Sequence, residues 1–174
     1  LNPPSTTYTV IFNDQTPPLT FSHPAPASVT HAFQTSSCGV SSQGFNNSFS
    51  ATIEASNPCS KSVVSIVPIY VTRKPEATFT ISPSDTVCIN TIITCTNTSP
   101  ASDNITNGNC TPGKIVWSIV PATGWTITSG TLGNDLNLTN PGLWLSGTQT
   151  LGINFTTPGQ YSIKLKNGNT NCGA

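Results

Sequence analysis

Six cysteines are the residues of this 174-residue chain with the clearest potential for chemistry. They fall into two groups, Cys38 and Cys59 in the first part and Cys88, Cys95, Cys110 and Cys172 in the second. No two of them form a CxxC pair, and the two histidines lie far in sequence from the second group, so the spacing favours disulfides over a metal site. An even number in each part is typical of an oxidising compartment. We therefore expect an extracellular protein.

Motifs for catalysis are absent from the sequence. It contains no Gly-x-Ser-x-Gly elbow, no His-Glu-x-x-His and no glycine-rich phosphate loop. His23 lies in a turn-rich segment without a nucleophile, and His31 is better explained by packing or hydrogen bonding. Asp14 and Asp103-Asn104 carry oxygen atoms that suit Ca²⁺, but without the spacing of a calcium loop they are better explained as turn or capping residues. We predict a non-enzymatic protein with no metal and no cofactor.

The three tryptophans suggest two different roles. Trp117 lies among alternating apolar residues, so we assign it to the core together with Phe12 and Tyr161. Trp125 and Trp144 lie beside glycine or Pro-Gly turns, and an indole face can stack on a sugar ring. These two residues are therefore candidates for glycan contact.

The charge of the chain excludes several classes of partner. Charged residues make up 7% of the sequence, against about 25% in ordinary soluble domains, and six basic residues balance six acidic ones. Nothing here attracts nucleic acid or an anionic membrane surface. No apolar run reaches the roughly 18 residues that span a bilayer, so we predict no membrane insertion. The segment 1–4 also lacks the basic start and apolar core of a signal peptide.

Short apolar–polar alternations dominate the chain, and no segment longer than about ten residues has a helical period. Strands are predicted at residues 8–12, 29–33, 49–55, 63–71, 77–81, 89–96, 114–120, 125–128, 135–138, 148–155 and 160–166. Pro68 makes the segment 63–71 an edge strand, because proline cannot donate to a central ladder. A long polar loop is expected from the strand 89–96 to Gly113. Strands at this spacing favour an all-β antiparallel sandwich with almost no helix.

Two segments repeat one pattern, which indicates a tandem arrangement. In 49–59 an aromatic residue opens alternating apolar positions that end in Asn and Cys, and 161–172 repeats this with one inserted residue. Arg73-Lys-Pro-Glu76 is the best boundary between the two parts. We predict two β-sandwich domains, 1–74 and 75–174, of the repetitive kind found in extended surface proteins.

Three segments resemble PKD (polycystic kidney disease) domains, which are immunoglobulin-like sandwiches. Tyr8-Thr-Val-Ile-Phe-Asn-Asp14 resembles their aromatic-x-Trp-x-Phe-Gly-Asp-Gly strand and turn, although Val10 replaces the Trp. Val29-Thr-His-Ala-Phe33 resembles their Thr-His-Thr-Tyr strand. Residues 157–165 resemble their Pro-Gly-x-Tyr-x-Val-x-Leu strand. The resemblance implies that the first domain lacks its initial strands and the second its last strand.

The Asn-x-Cys endings and the Lys-Pro-x-Ala linker most resemble tandem domains of giant repetitive surface proteins, nearest the gliding-motility adhesins exported by type IX secretion. This resemblance implies a stalk or adhesive segment on the bacterial cell surface. Its partners would be neighbouring repeats, surface polysaccharide, or the export and motility machinery. Asp85-Thr86-Val87 matches the O-glycosylation pattern associated with such bacteria, which makes Thr86 a candidate site. The alternatives are a carbohydrate-binding module attached to a secreted hydrolase and a secreted substrate captured with its export machinery.

The even number of cysteines in each part of the chain suggests the disulfides Cys38–Cys59, Cys95–Cys110 and Cys88–Cys172. The pair Cys95–Cys110 is the best supported, because it would clamp a polar loop that begins and ends at strand termini. In an immunoglobulin-like sandwich Cys88 and Cys172 fall in loops at opposite ends, whereas bonded cysteines need Cα atoms within about 7 Å. Cys38 and Cys59 flank one strand, so partners outside this sequence remain an alternative for them.

Overall fold

The computed structural model describes residues 3–174, and this part of the chain is all-β. The strand pairs for which residue partners are assigned are all antiparallel. The only helical element within the described residues is a 3₁₀ turn at Pro141–Leu143. The strands are β1 (Thr7–Phe12), β2 (Leu19–Ser22), β3 (Ser41–Ser42), β4 (Phe45–Asn46), β5 (Phe49–Asn57), β6 (Ser60–Ile69), β7 (Phe79–Ser82), β8 (Ile92–Asn97), β9 (Asn104–Thr106), β10 (Asn109–Thr111), β11 (Lys114–Val120), β12 (Trp125–Ser129), β13 (Thr150–Phe155) and β14 (Ser162–Gly168). The predicted antiparallel all-β sandwich class with almost no helix is confirmed.

The described chain divides into two compact units. Unit 1 consists of the described residues up to Thr72 together with Ile105–Cys110, and unit 2 consists of Arg73–Asn104 and Thr111–Ala174. This division falls close to the predicted boundary at 74/75. It differs in giving the tip of the β9–β10 hairpin to unit 1, although its sequence lies within the predicted second domain.

Unit 1 contains a four-stranded sheet in the order β2-β1-β5-β6. Its register aligns Val10 with Ile53 and Ile53 with Val64, so one face of the sheet carries a row of apolar side chains. Val10 is buried, whereas Ile53 and Val64 are exposed. β6 forms one end of the sheet, which confirms that the strand containing Pro68 is an edge strand.

Unit 2 is a two-layer sandwich. One sheet has the order β12-β13-β8-β7, and the other consists of β11 and β14. Side chains of both layers meet in a single buried cluster, made of Ile93, Cys95, Trp117, Ile119, Leu151, Ile153 and Phe155. Trp117 is 2% exposed, and its Nε1 donates to Thr148 O at 2.9 Å, so the one polar atom of its ring is satisfied inside the core.

Two predicted strands are wrong, and each has a local cause. Residues 135–138 form a turn, because Leu136 and Asn137 have φ of 54° and 56° and Asn137 N donates to Asp135 Oδ1. Residues 29–33 pair with no strand. Their rings pack on the sheet of unit 1 instead, with Phe33 stacked on Phe49 at a centroid distance of 4.7 Å.

Candidate functional site

An open cleft in unit 2 is the best candidate for a binding site. It lies between β7 and β14, encloses about 550 Å³, and is here called the β7–β14 cleft. Its lining is mainly apolar, with a polar rim, and comprises Phe79, Ile81, Asp85, Thr86, Val87, Ile89, Ile93, Phe155, Thr157, Pro158, Gly159, Gln160, Tyr161 and Ile163. Such a surface suits an apolar ligand more than a charged one.

Strand alternation explains why the cleft is apolar. On β7, Phe79 and Ile81 are half-buried while Thr80 and Ser82 are exposed. On β14, Ile163 is half-buried between the exposed Ser162 and Lys164. Because alternate residues of a strand point to opposite faces, both strands direct their apolar side chains toward the sandwich interior. At this side of the sandwich they line the cleft, where they remain half-buried.

Two rings form one wall of the cleft and are held in place. The centroids of Phe155 and Tyr161 lie 4.4 Å apart. Tyr161 Oη lies 2.8 Å from Thr157 O and 3.1 Å from Gly124 O, and its single proton is shared between these two carbonyl oxygens. The Tyr161 ring is therefore fixed before any ligand arrives. This lowers the entropic cost of binding at the site.

The predicted O-glycosylation residue lies at the rim of the same cleft. Thr86 is exposed, its backbone N donates to Ser84 Oγ, and its hydroxyl donates to Asp85 Oδ1 at 3.3 Å. The hydroxyl is thus accessible on the surface of unit 2. Thr86 remains a prediction as a modification site.

The cysteine pairings predicted from parity are wrong. The structure joins Cys38 to Cys110, with a Cα–Cα distance of 5.9 Å. Cys59, Cys88 and Cys172 are exposed free thiols, and Cys95 is a buried one. Parity failed because the β9–β10 hairpin carries Cys110 into unit 1, where it meets Cys38. Burial of Cys95 in the core of unit 2 raises the pKa of its thiol.

The β9–β10 hairpin, which carries Cys110, is the structural element that the sequence analysis missed. Its turn residues Asn107 and Gly108 have φ of 50° and 75°, the geometry that an Asn-Gly hairpin turn favours. Asn47 Nδ2 donates to Gly108 O at 2.6 Å, which fastens the tip within unit 1. The Asn-Gly dipeptide was the sequence pattern that predicts this hairpin inside the supposed loop.

The two tryptophans proposed for glycan contact differ in exposure. Trp144 is 4% exposed, its Nε1 donates to Leu138 O at 2.8 Å, and Lys166 Nζ lies 5.4 Å from its ring centroid. A buried ring offers no face to a sugar, so Trp144 is corrected to a packing role. Trp125 is half-buried, and its Nε1 donates to Pro121 O.

Phe12 and Tyr161 were assigned to the core together with Trp117. Both residues are half-buried in the structure.

Asp14 and His31 form a partly buried pair in unit 1. His31 Nε2 donates to Asp14 Oδ2 at 2.6 Å, and the His31 ring stacks on Phe12 at 3.8 Å between centroids. Burial acts to raise the pKa of Asp14, but hydrogen bonds from Thr16 and His31 outweigh it and the pKa is lowered. Both Asp14 oxygens already accept hydrogen bonds, as the capping interpretation predicts. Asn104 is engaged similarly, since its Oδ1 accepts from Thr170 N and Oγ1.

Within residues 3–174, no cluster of three His, Cys, Asp or Glu side chains is placed to hold a metal ion. None of these residues forms a helix long and apolar enough to cross a membrane. Comparison of the chain with protein-family models, with curated proteins and with solved structures found no match. What the fold itself defines is an all-β protein of antiparallel sheets, with an apolar cleft in unit 2.

Proposed function

We propose that this chain is a non-catalytic segment of a bacterial cell-surface adhesin, located outside the cell and serving attachment or gliding. The observation that carries the proposal is the Cys38–Cys110 bond within an all-β chain of very low charge. A disulfide between residues 72 positions apart persists in oxidising environments and is rare in reducing ones. The PKD-like segments of the sequence support a repetitive stalk, whose partners are neighbouring repeats of the same chain and surface polysaccharide.

The test is to label intact cells of the native source. Antibodies against the 174-residue chain should stain unpermeabilised cells, and external protease should remove the staining. Deleting the coding segment should reduce attachment or gliding while growth stays normal. Staining only after permeabilisation would contradict the proposal. A marker of the cell interior serves as the control for cell integrity.

A second candidate function is a carbohydrate-binding module, which the half-exposed ring of Trp125 favours. If it is correct, the chain should bind immobilised polysaccharides, and Trp125→Ala should lose that binding. Trp125→Phe is the matched control, because it keeps an aromatic face for stacking. An absence of polysaccharide binding by the unmutated chain would reject this function and leave the adhesin proposal intact.

A further inference from the structure

One edge of β14 is open. β11 pairs with β14 along its full length, from Lys114 opposite Gly168 to Val120 opposite Ser162. No strand of the described chain pairs with the other edge. Asn167 and Gly168 at the end of β14 are buried, but from Ser162 to Lys166 this edge presents backbone N–H and C=O groups with no strand partner, which is a template for one more strand.

The open edge and the β7–β14 cleft belong to one surface. Ile163 lies on β14 itself and lines the cleft, and Phe79 and Ile81 face it from β7. A strand lying against β14 would form backbone hydrogen bonds with it and send every second side chain into the apolar cleft. Two independent features, one of the backbone and one of the side chains, therefore fit the same extended ligand.

The turn after β14 indicates where such a strand comes from. Asn169 N donates to Gly173 O at 2.9 Å, and Gly173 N donates to Asn169 O at 3.0 Å. This antiparallel bridge reverses the direction of the chain immediately after β14. Asn169 Oδ1 also accepts from Cys172 N at 2.7 Å, so the side chain of the first residue of the turn stabilises the reversal.

We propose that the β7–β14 cleft is an acceptor groove for a further β-strand of the same polypeptide, delivered by the Asn169–Gly173 turn. The strand runs antiparallel to β14 and carries apolar residues at alternate positions. It completes the sheet of β11 and β14 and covers the half-buried side chains of the cleft. The inference rests on the strand edge and the cleft, and it is independent of the adhesin proposal.

The register of a hairpin makes a sharp test possible. Two extended chains are prepared in which Ala174 is followed by an eight-residue probe, four Thr-Val repeats in one and four Val-Thr repeats in the other. The probes have equal composition, but a shift of one residue moves every valine to the other face. In only one of the two extended chains, amide exchange across residues 162–168 should slow at least tenfold and the melting temperature of unit 2 should rise. The same behaviour of the two extended chains, or no protection in either, would overturn the proposal.

Two exposed isoleucines give a matched pair of variants of the extended chain in which β14 is protected. Ile89 lines the cleft and is 48% exposed, whereas Ile92 lies outside it and is 54% exposed. Because both side chains are already exposed, replacing either by serine should leave the fold intact. Ile89→Ser should accelerate exchange across 162–168 about fivefold, since the probe loses an apolar contact, and Ile92→Ser should change it less than twofold. The same response to both substitutions would show that the probe does not occupy the cleft.

A third experiment distinguishes a strand of the same polypeptide from a strand of another polypeptide. The free Thr-Val and Val-Thr peptides are added to the 174-residue chain at the concentration of the protein. A tethered strand has the advantage of high effective concentration, so the free peptides should give no protection under these conditions. Protection by a free peptide equal to that by its tethered form would overturn delivery by the turn and indicate a strand from another polypeptide.

Discussion

Cys38 and Cys110 are separated by 72 residues in sequence and joined by a disulfide, so the tip of the β9–β10 hairpin is covalently joined to the rest of unit 1. Closing a loop of this length restricts the unfolded chain considerably. The chain-entropy estimate for such a loop is about 4 kcal/mol. That is far more than an exposed ion pair contributes, such as Lys61 with Glu54.

Removal of this bond is the first prediction. Cys38→Ser should lower the free energy of unfolding of unit 1 by about 3–4 kcal/mol, because the unfolded chain regains its freedom. Urea titration followed by amide exchange in β5 measures the loss. The matched control is Cys59→Ser, which removes an exposed free thiol and should change stability by less than about 0.5 kcal/mol. Equal effects of the two substitutions would contradict a structural role for the Cys38–Cys110 bond.

The tip of the β9–β10 hairpin gives the second prediction. A Cβ atom added to Gly108 would lie 3.2 Å from Tyr70 Oη and 3.3 Å from Asn46 O, at a φ of +75°. Gly44 closes the β3–β4 hairpin at a φ of +86°, and a Cβ atom there would meet nothing within 4 Å. Both alanine substitutions cost backbone strain of about 1 kcal/mol. Gly108→Ala should cost about 1 kcal/mol more, because it adds close contacts, and denaturant titration compares the two variants.

The core of unit 2 gives the third prediction. Trp117→Ala should lower stability by about 3–5 kcal/mol, because it empties a buried site and leaves Thr148 O without its donor. Trp125→Ala is the comparison, since that ring is only half-buried and should cost clearly less. Thermal unfolding followed by circular dichroism decides between them. An unchanged melting temperature in Trp117→Ala would refute its place in the core.

The fourth prediction concerns acid stability. The pKa of Asp14 is lowered from 3.8 in the folded chain, so its contribution is fully present above that value. It is lost as the pH falls from about 4 through the lower folded pKa, because the unfolded chain then binds more protons. The stability of unit 1 should therefore decrease over this range, and Asp14→Asn should flatten the decrease. Asp85→Asn is the control. A decrease of the same size in Asp14→Asn would show that other groups cause it.

Exposed apolar residues on β6 give the fifth prediction. Val64 and Ile66 are 61% and 62% exposed on an edge strand, a combination that promotes pairing between chains. Val64→Lys should reduce self-association at high concentration while stability stays within about 0.5 kcal/mol. Light scattering and sedimentation measure this. Thr7→Lys, on the exposed start of β1, provides a control for added charge. The same reduction in both variants would indicate a general effect of charge.

How far the sequence predicts the fold depends on whether a local pattern decides the element. β11 has the predicted bounds, because Ile115, Trp117 and Ile119 alternate within a strand flanked by turn residues. Pro68 likewise marks the edge strand. Local patterns do not predict the cysteine pairing, because it depends on where the β9–β10 hairpin lies in three dimensions. The turn at 135–138 failed for a related reason, since alternation alone does not reveal that Leu136 adopts a left-handed conformation.

The candidate cleft was only partly accessible to sequence reasoning. The resemblance to PKD domains implied that the second domain lacks its last strand, which stays a prediction, and the structure shows that β14 pairs with β11 alone among the described strands. The side chains that line the cleft come from four separate parts of unit 2: β7, the segment 85–93, Phe155 and the segment 157–163. Only packing of the two layers brings them together. Trp144 shows the converse, because a tryptophan beside a Pro-Gly turn is buried by contacts that its neighbours in sequence do not reveal.

Non-reducing peptide mapping of the protein from its native source tests the central claim most directly. A disulfide-stabilised protein outside the cell should give one linked peptide pair, containing Cys38 and Cys110, with Cys95 unlinked. Finding Cys38 and Cys110 as free thiols in protein alkylated before lysis would contradict both the bond and the extracellular location inferred from it.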